Sequence, residues 1–364
     1  MKLNENEHKY DCLAEEIEGL RKQALRNRTP YSDDKLHKPV AFWTKKERLL
    51  DKVGKEFTII LRTKGCYWAL EHGGCSMCGY IEDANIEDVS SEQIIHQFDN
   101  AIQNKITEIR EDSNDYVLKI FNSGSFFDDS EINKQTREYI YKKVTEIPQI
   151  TEFIVESRTE FVTEEKLIEI KNYLPDIYIE IGIGLESVDD HIRNKYINKG
   201  LTFEDFLHTK ELCERNDVGI KAYLLFKPPF LNEQASIDDC MNSIKTLIDV
   251  GIKSISVNPC NVQKNSFVEY LWYQNRYRPP WYYSLFECFK KALNSSTIQN
   301  TRILCDPSGA GTKRGIHNCL RKECNEKMRE TLSQFVLSQD LDILNEIEYD
   351  CICKSKYDLQ KNNF

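Results

Sequence analysis

The sequence predicts an α/β fold, a partial (β/α)6 barrel open on one side, with a helical extension before it and a separate region after it. Six short runs of apolar, β-branched residues recur at 57–61, 117–121, 153–155, 177–183, 220–226 and 255–257. Five stretches of helical period lie between them, at 91–109, 131–145, 164–173, 203–216 and 236–250. Strand and helix alternating at this spacing give parallel βαβ units. A further observation places the chemistry. Each run gives way to small or polar residues, and in such barrels the reacting groups sit at the C-terminal ends of the strands.

Taken in order, residues 1–50 read as a charged, helical lead-in with its helix at 15–26. Residues 51–264 hold the barrel. Its first run leads into a glycine-rich stretch with Cys66, Cys75 and Cys78. The second is followed by Asn122-Ser123-Gly124-Ser125 and the third by Glu156-Ser157-Arg158. The fourth ends in Gly182-Ile-Gly184-Leu-Glu186, the fifth in Lys227-Pro-Pro, and the sixth in Asn258-Pro-Cys260-Asn-Val-Gln263. The barrel pattern stops there, and 265–364 form a C-terminal region.

The chain has 364 residues, 40% hydrophobic and 11% aromatic, enough to bury a core and shape pockets. It has no run of 18 apolar residues, so no membrane span is expected, and its polar, charged start excludes a secretory signal. Thirteen cysteines, an odd number in clustered spacings, favour the cytoplasm and metal-bound or free thiols over a disulfide framework. The net charge of −10 argues against broad, unaided nucleic-acid binding, which needs an excess of Lys and Arg. A local basic patch or a basic partner subunit is compatible with it.

Cys66, Cys75 and Cys78 are the most telling residues. Three thiolates this close in sequence can hold one metal centre, and supplying only three leaves a corner open. Iron–sulfur clusters usually take four thiolates, so an open iron can bind a small molecule. The competing readings are a zinc site completed by His72 or a remote ligand, and plain buried thiols. The upstream third cysteine, the glycine pair before Cys75 and the place past a barrel strand favour the cluster.

With the open barrel behind it, this triplet resembles the radical S-adenosylmethionine (SAM) superfamily, whose TIM-type partial barrels carry a [4Fe–4S] cluster. The eight residues between Cys66 and Cys75 are a longer gap than the superfamily's commonest pattern. The resemblance implies that SAM chelates the fourth iron. It implies too that electron transfer cleaves SAM to methionine and a 5′-deoxyadenosyl radical that abstracts hydrogen from substrate. It also places SAM against Asn122, Ser123, Gly124 and Ser125, against Glu156 and Arg158, and against Gly182 and Glu186. The stretch Gly182–Glu186 is similar to the same strand end in the elongator-type tRNA-modifying branch. Without the resemblance, Glu156 and Arg158 read as a surface ion pair, and Glu186 reads as a carboxylate at a helix N-terminus.

In the C-terminal region, His317, Cys319, Cys324, Cys351 and Cys353 offer five soft ligands to one four-coordinate site. Tetrahedral zinc, not requiring all five, is the natural reading, with a second iron–sulfur cluster as its rival. His317 could instead be a hydrogen-bonded histidine, leaving four cysteines. Cys12, Cys213, Cys240, Cys260, Cys288 and Cys305 read as small buried hydrophobes. Arg276, Tyr277, Arg278 and Trp281 suggest an RNA contact by charge and stacking, or else aromatic packing.

Gly-Gly-Cys75-Ser-Met-Cys78-Gly-Tyr, the segment 258–281, the stretch Asp306-Pro-Ser-Gly309-Ala-Gly311 and the later cysteines together resemble the radical SAM subunit of archaeosine synthase, from about residue 40 to 353. That family's activity implies a lyase acting on tRNA. It cleaves the carbon–nitrogen bond of a lysine adduct of 7-cyano-7-deazaguanine, leaving the formamidine of archaeosine. The partners implied are the lysine-transferring subunit of archaeosine synthase, the tRNA carrying the adduct, and an electron donor. Asn258, Gln263 and Arg278 are the candidates for the substrate side. The alternatives are another radical SAM tRNA-modifying or small-molecule enzyme, and a zinc-binding, non-catalytic subunit of an RNA-modification complex.

Overall fold

A computed structural model describes residues 12–26, 28–347 and 351–362. The polar start read as lacking a secretory signal and the thiol of Cys12 lie outside the described residues. Eight strands form one sheet in sequence order: β1 Ala41–Arg48, β2 Val53–Ile60, β3 Tyr116–Phe121, β4 Ile150–Glu156, β5 Tyr178–Glu186, β6 Gly219–Phe226, β7 Ser254–Pro259 and β8 Arg302–Leu304. β1 pairs antiparallel to β2, and every later neighbour is parallel. The six runs read from the sequence are β2 to β7. β1 and β8 extend the sheet beyond 51–264 at both ends.

The alternation of each strand divides the barrel into an apolar outside and a polar inside. Ile59, Leu118, Ile120, Phe153, Val155, Ile181 and Ile183 point outward and pack under the helices in one continuous core. Those helices begin where the sequence supplies caps. Ser90 and Thr202 each close a capping box, and Asn133, Thr163 and Asn232 accept from the first-turn amides of theirs. Inside, Lys119 lies 2.5 Å from both Glu47 and Glu56, and Arg302 reaches Glu152 at 2.8 Å and Glu180 at 2.7 Å. Arg302 also donates to the Arg48 carbonyl at 3.2 Å, so β8 is drawn toward β1 across the open side. This ionic plug fills the end of the barrel away from the strand C-termini and leaves the opposite mouth to chemistry.

The first helix, Cys12–Leu25, precedes the sheet. The C-terminal region packs helices Tyr282–Ala292, Lys322–Ser338 and Cys353–Gln360 onto the barrel core. Cys213, Cys240, Cys260, Cys288 and Cys305 are all buried, as small hydrophobes are. No described helix is long and apolar enough to cross a membrane.

Candidate active site and second cysteine centre

The chain leaves β2 and turns into the loop that carries the triplet. Gly65 stands there with φ of +105°, and a side chain on it would strike Ala84 and Ile81. Cys66 opens the short helix Tyr67–Glu71, and the glycine pair at 73 and 74, with φ of +77° and +80°, turns the chain back to Cys75. None of the three thiols is in a disulfide. Burial pushes Cys66 up to about 12 and raises Cys75 as well. The two sulfurs also influence one another, and Cys78, Arg158, Lys199 and Glu186 all act on Cys75 or Cys66. The triplet, the β4 end and the β5 end therefore share one electrostatic neighbourhood. The two cations there favour thiolates, the form a metal needs.

Five elements hold the loop. From the first helix, Arg21 donates to the carbonyls of Gly73 at 3.1 Å and Cys78 at 2.6 Å. From the segment after β5, Asn198 donates to the Gly74 carbonyl at 2.9 Å, and its own carbonyl accepts from the Trp68 indole at 2.7 Å. That segment contains one turn of π-helix, Ile192–Tyr196, a feature frequent at functional sites. Arg158 lies 5.0 Å from the Trp68 ring and 5.6 Å from Tyr67. Gln263 Oε1, after β7, accepts from the Gly79 amide at 2.5 Å. Arg28 donates to the carbonyls of Glu82 at 3.0 Å and Ala84 at 2.6 Å.

The other strand ends meet this loop with roles of their own. Asn122 and the Ser125 amide both donate to Glu131, at 2.9 and 2.8 Å, and Thr63 donates to it at 2.6 Å. A side chain at Gly124 would land on the Glu131 carboxylate, so its smallness serves this buried acid rather than a ligand alone. Burial raises Glu131 to about 7. Ser123 donates to the Tyr80 carbonyl at 3.1 Å, tying the β3 end to the cysteine loop.

After β4, burial raises the Glu156 carboxyl, with Lys221 and Lys199 opposing that shift. Arg158 binds Glu160 at 2.6 Å and donates to the carbonyls of Lys199 and Gly200 at 3.0 and 3.1 Å. Its guanidinium is thus largely engaged by the protein, and it clamps two loops together. Glu186 ends β5 at a register shift, with φ of +68°, an uncommon conformation outside glycine. It pairs with Lys199 at 2.7 Å. It is a strand-end carboxylate, not one at a helix N-terminus. Gly184 makes room for this pair, and Gly182 makes room for Tyr223 and Glu156.

Two of the substrate-side candidates are engaged by the protein's own backbone. Gln263 holds the cysteine loop. Arg278 donates to the carbonyls of Pro279, His317 and Asn318 at 2.6, 2.8 and 2.8 Å, and stacks 3.8 Å over Trp281. Tyr277 and Trp281 are buried, at 8% and 3% exposure, so of the two readings of this segment aromatic packing is the one observed. Asn258 stays partly exposed at the mouth, near Ser256.

The second centre lies in the C-terminal region. The sulfurs of Cys319, Cys324, Cys351 and Cys353 all fall within 4.8 Å of one another. Cys319 and Cys351 are 3.7 Å apart, and Cys324 and Cys353 are 3.8 Å apart. A tetrahedral thiolate site with metal–sulfur bonds of about 2.3 Å has sulfur–sulfur edges of about 3.8 Å. A cubane cluster would spread them farther, since each thiolate then sits on its own iron. His317 is outside this group: its Nδ1 meets the Gly315 carbonyl at 2.8 Å, and burial holds it down at about 4. Tyr283 approaches Cys353 at 3.1 Å, and Asn318 Nδ2 lies 3.9 Å from Cys324.

No family model matches the chain. A protein of Methanocaldococcus jannaschii named only as uncharacterized is 43% identical over 346 residues, 95% of this chain and 92% of its own. The archaeosine synthase subunit beta of Methanosarcina acetivorans is 37% identical over 91% of this chain and 92% of its own. That of Thermococcus kodakarensis is 33% identical over 87% and 96%. The chain belongs to the archaeosine synthase subunit beta family. Among solved structures, the Elp3 of Methanocaldococcus infernus aligns with a TM-score of 0.49 at 13% identity, over 66% of this chain and 59% of its own.

For this beta-family chain, the structure brings the triplet together with the β3, β4 and β5 ends, and it gathers four of the five C-terminal candidates. Sequence reasoning missed Arg21, Glu131 and Lys199. Glu131 had a signal, a carboxylate at the start of an amphipathic helical stretch. Arg21 and Lys199 had none, because nothing local says which surface arginine or loop lysine folds inward.

Proposed function

We propose that this chain is the radical SAM lyase of archaeosine formation. It would cleave the carbon–nitrogen bond of a lysine adduct of 7-cyano-7-deazaguanine in tRNA, leaving the formamidine on the base. The observation that carries the reading is the three-cysteine loop at the C-terminal end of the first parallel strand, braced from five elements. The relatives named archaeosine synthase subunit beta support a role in archaeosine formation.

Cys66, Cys75 and Cys78 would hold a [4Fe–4S] cluster, and SAM would lie against Asn122–Ser125, Glu156, Gly182 and Glu186. Bound there, cluster and SAM supply an electron and a hydrogen-abstracting carbon radical. The chain's own part is positional. Arg158 and Lys199 bring positive charge to the thiolates. Glu131 sets the backbone of the β3 loop. Glu156 and Glu186 present carboxylates at the mouth, suited to ribose hydroxyls and an ammonium group. Asn258 remains the substrate-side candidate.

Cys319, Cys324, Cys351 and Cys353 would hold zinc, a reading supported by four sulfurs within 4.8 Å, two pairs of them at the edge length of a tetrahedral thiolate site. The beta-subunit name of the relatives supports a partner, the lysine-transferring subunit. A cytoplasmic one-electron donor completes the set.

The test is anaerobic turnover of adduct-bearing tRNA with SAM and a one-electron reductant, read by mass spectrometry of nucleosides. Archaeosine with 5′-deoxyadenosine and methionine is expected. SAM cleavage that leaves the adduct intact would overturn the substrate. In cells, deleting the gene should leave the lysine adduct to accumulate, rather than the unmodified base.

A further inference from the structure

The loops after β5, β6 and β7 carry a row of aromatic rings along the mouth that neither cysteine centre uses. His191 meets Tyr196 at 5.3 Å between ring centroids, and Tyr196 meets Phe230 at 5.6 Å. Phe230 then meets Phe267 at 6.1 Å, and Phe267 meets Tyr270 at 5.8 Å. Phe230 is 49% exposed, Tyr270 43% and Tyr273, on the same helix, 68%. Single exposed rings are common, but a contiguous exposed apolar patch rimmed by polar residues marks an interaction site. Phe230 also sits at φ of +73°. That conformation is costly for a bulky residue, and such outliers cluster at functional sites. The row adjoins the active site, because the Tyr196 carbonyl accepts from Ser76, between two triplet cysteines, at 2.9 Å.

The charge of these segments runs against that of the chain. The net charge overall is −10. In 191–200 Arg193 is buried and Lys199 is paired with Glu186, which leaves Lys195 at the surface; 259–281 offer Lys264 and Arg276 against Glu269, Arg278 being taken up by backbone carbonyls. Residues 306–322 hold Lys313, Arg314, Arg321 and Lys322 against Asp306. Arg314 lies 5.1 Å from the Trp272 ring, which brings the 306–322 segment beside the row. Lys264, Arg276 and Lys313 are exposed.

We propose that the row from Tyr196 through Phe230 to Tyr270, with the exposed cations Lys195, Lys264, Arg276 and Lys313 in the segments around it, is the platform on which unpaired nucleotides of tRNA stack while the target base enters the mouth. Aromatic faces beside cations suit splayed bases and their phosphates, as single-stranded recognition requires. The inference rests on the tRNA substrate proposed above and assigns its docking surface to exposed side chains.

The experiment uses the full chain with an in vitro tRNA transcript for affinity and adduct-bearing tRNA for turnover. Phe230→Ala and Tyr270→Ala are each expected to weaken transcript binding about tenfold or more and to raise KM for tRNA with little change in kcat. Phe230→Tyr should restore affinity and Phe230→Leu should not. Arg276→Gln with Lys313→Gln should lower the salt dependence of binding by about two phosphate contacts. Iron content and melting temperature report whether each variant folds.

Unchanged tRNA affinity in the aromatic variants overturns the platform. So does full rescue by Phe230→Leu, or loss of partner-subunit binding with RNA binding intact, either of which marks a protein contact. If the unaltered chain cleaves SAM but never converts the tRNA, the substrate reading fails instead, and the two failures are thereby told apart.

Discussion

The two cysteine centres of this molecule are built on opposite principles. The triplet takes three thiols from one loop of 13 residues, 66 to 78, and depends on distant elements to shape that loop. The C-terminal group takes four thiols from two segments 27 to 34 residues apart and brings all four sulfurs within 4.8 Å, two pairs of them at 3.7 and 3.8 Å. A site with all its ligands from protein is closed and staples the fold, whereas one short of a ligand keeps a corner for chemistry. The closed centre has the rigid neighbours of a staple. Asn318 next to it accepts from the Tyr282 amide and donates toward Cys324, and Arg278 fixes the carbonyls of both His317 and Asn318. The open centre has the charged, strained neighbours of a reactive site: Arg158, Lys199 and Glu186 at φ of +68°.

The largest effect that would test this contrast is loss of the open centre. Cys66→Ala, Cys75→Ala or Cys78→Ala should each reduce iron and SAM cleavage to background while melting temperature changes little. Iron analysis and 5′-deoxyadenosine assays of anaerobically prepared protein check it. A variant that unfolds instead would make the triplet a staple as well. The reciprocal change comes next. Cys324→Ser or Cys353→Ser should release bound zinc, lower the melting temperature by about 5 °C or more and expose 306–362 to protease. The triplet's cluster should still load, as read from its visible absorption. Equal loss of cluster would show that the two centres fold as one.

Glu131 gives an intermediate effect with a defined pH signature. Burial raises its carboxyl from 4.5 to about 7. The folded chain therefore binds this proton more tightly than the unfolded chain. Its contribution is greatest below the unfolded value near 4.5, and it declines as pH rises toward 7, by about 3 kcal/mol at most. Glu131→Gln should flatten stability over that window, measured by denaturant unfolding at pH 5 and pH 8. At pH 8 it should also raise KM for SAM, because a Gln amide cannot accept from Thr63, Asn122 and the Ser125 amide alike. A pH profile identical to that of the unaltered chain would remove Glu131 from the β3 loop.

Much of this was legible in the sequence where the signal was local. The six parallel strands and five helices showed because β-branched runs and helical periods repeat at full length. The triplet showed because its ligands are neighbours in the chain. β1 did not, since Ala41–Arg48 ends in Lys-Lys-Glu-Arg, whose charges find partners only in the fold: Glu47 meets Lys119 inside the barrel, and Lys45 meets Glu56 at 3.4 Å. β8 is three residues long, and its Arg302 looks like a surface residue until Glu152 and Glu180 are brought around it. Gln263 and Arg278 read as substrate-side candidates and not as braces, because their partners, the Gly79 amide and the 317–318 carbonyls, are backbone groups from distant loops. Side chains that act on remote backbone leave no pattern of their own.

Arg21 is the extreme of that class and gives the smallest predicted effect. It is 3% exposed, and it joins the first helix to the cysteine loop through the carbonyls of Gly73 and Cys78. Arg21→Ala removes two charge-assisted hydrogen bonds, and water entering beside the exposed carbonyls restores much of what they contribute. Both bonds go to backbone carbonyls of the loop. The helix should therefore fray from the loop while the barrel stays folded. Cluster loading should succeed, but iron should be lost to an external chelator severalfold faster, with KM for SAM little changed. Arg21→Lys, which can keep one of the two bonds, should fall between. An Arg21→Ala protein that retains iron as long as the unaltered chain would mean the remaining braces suffice, and the first helix would lose its role as a clamp on the open centre.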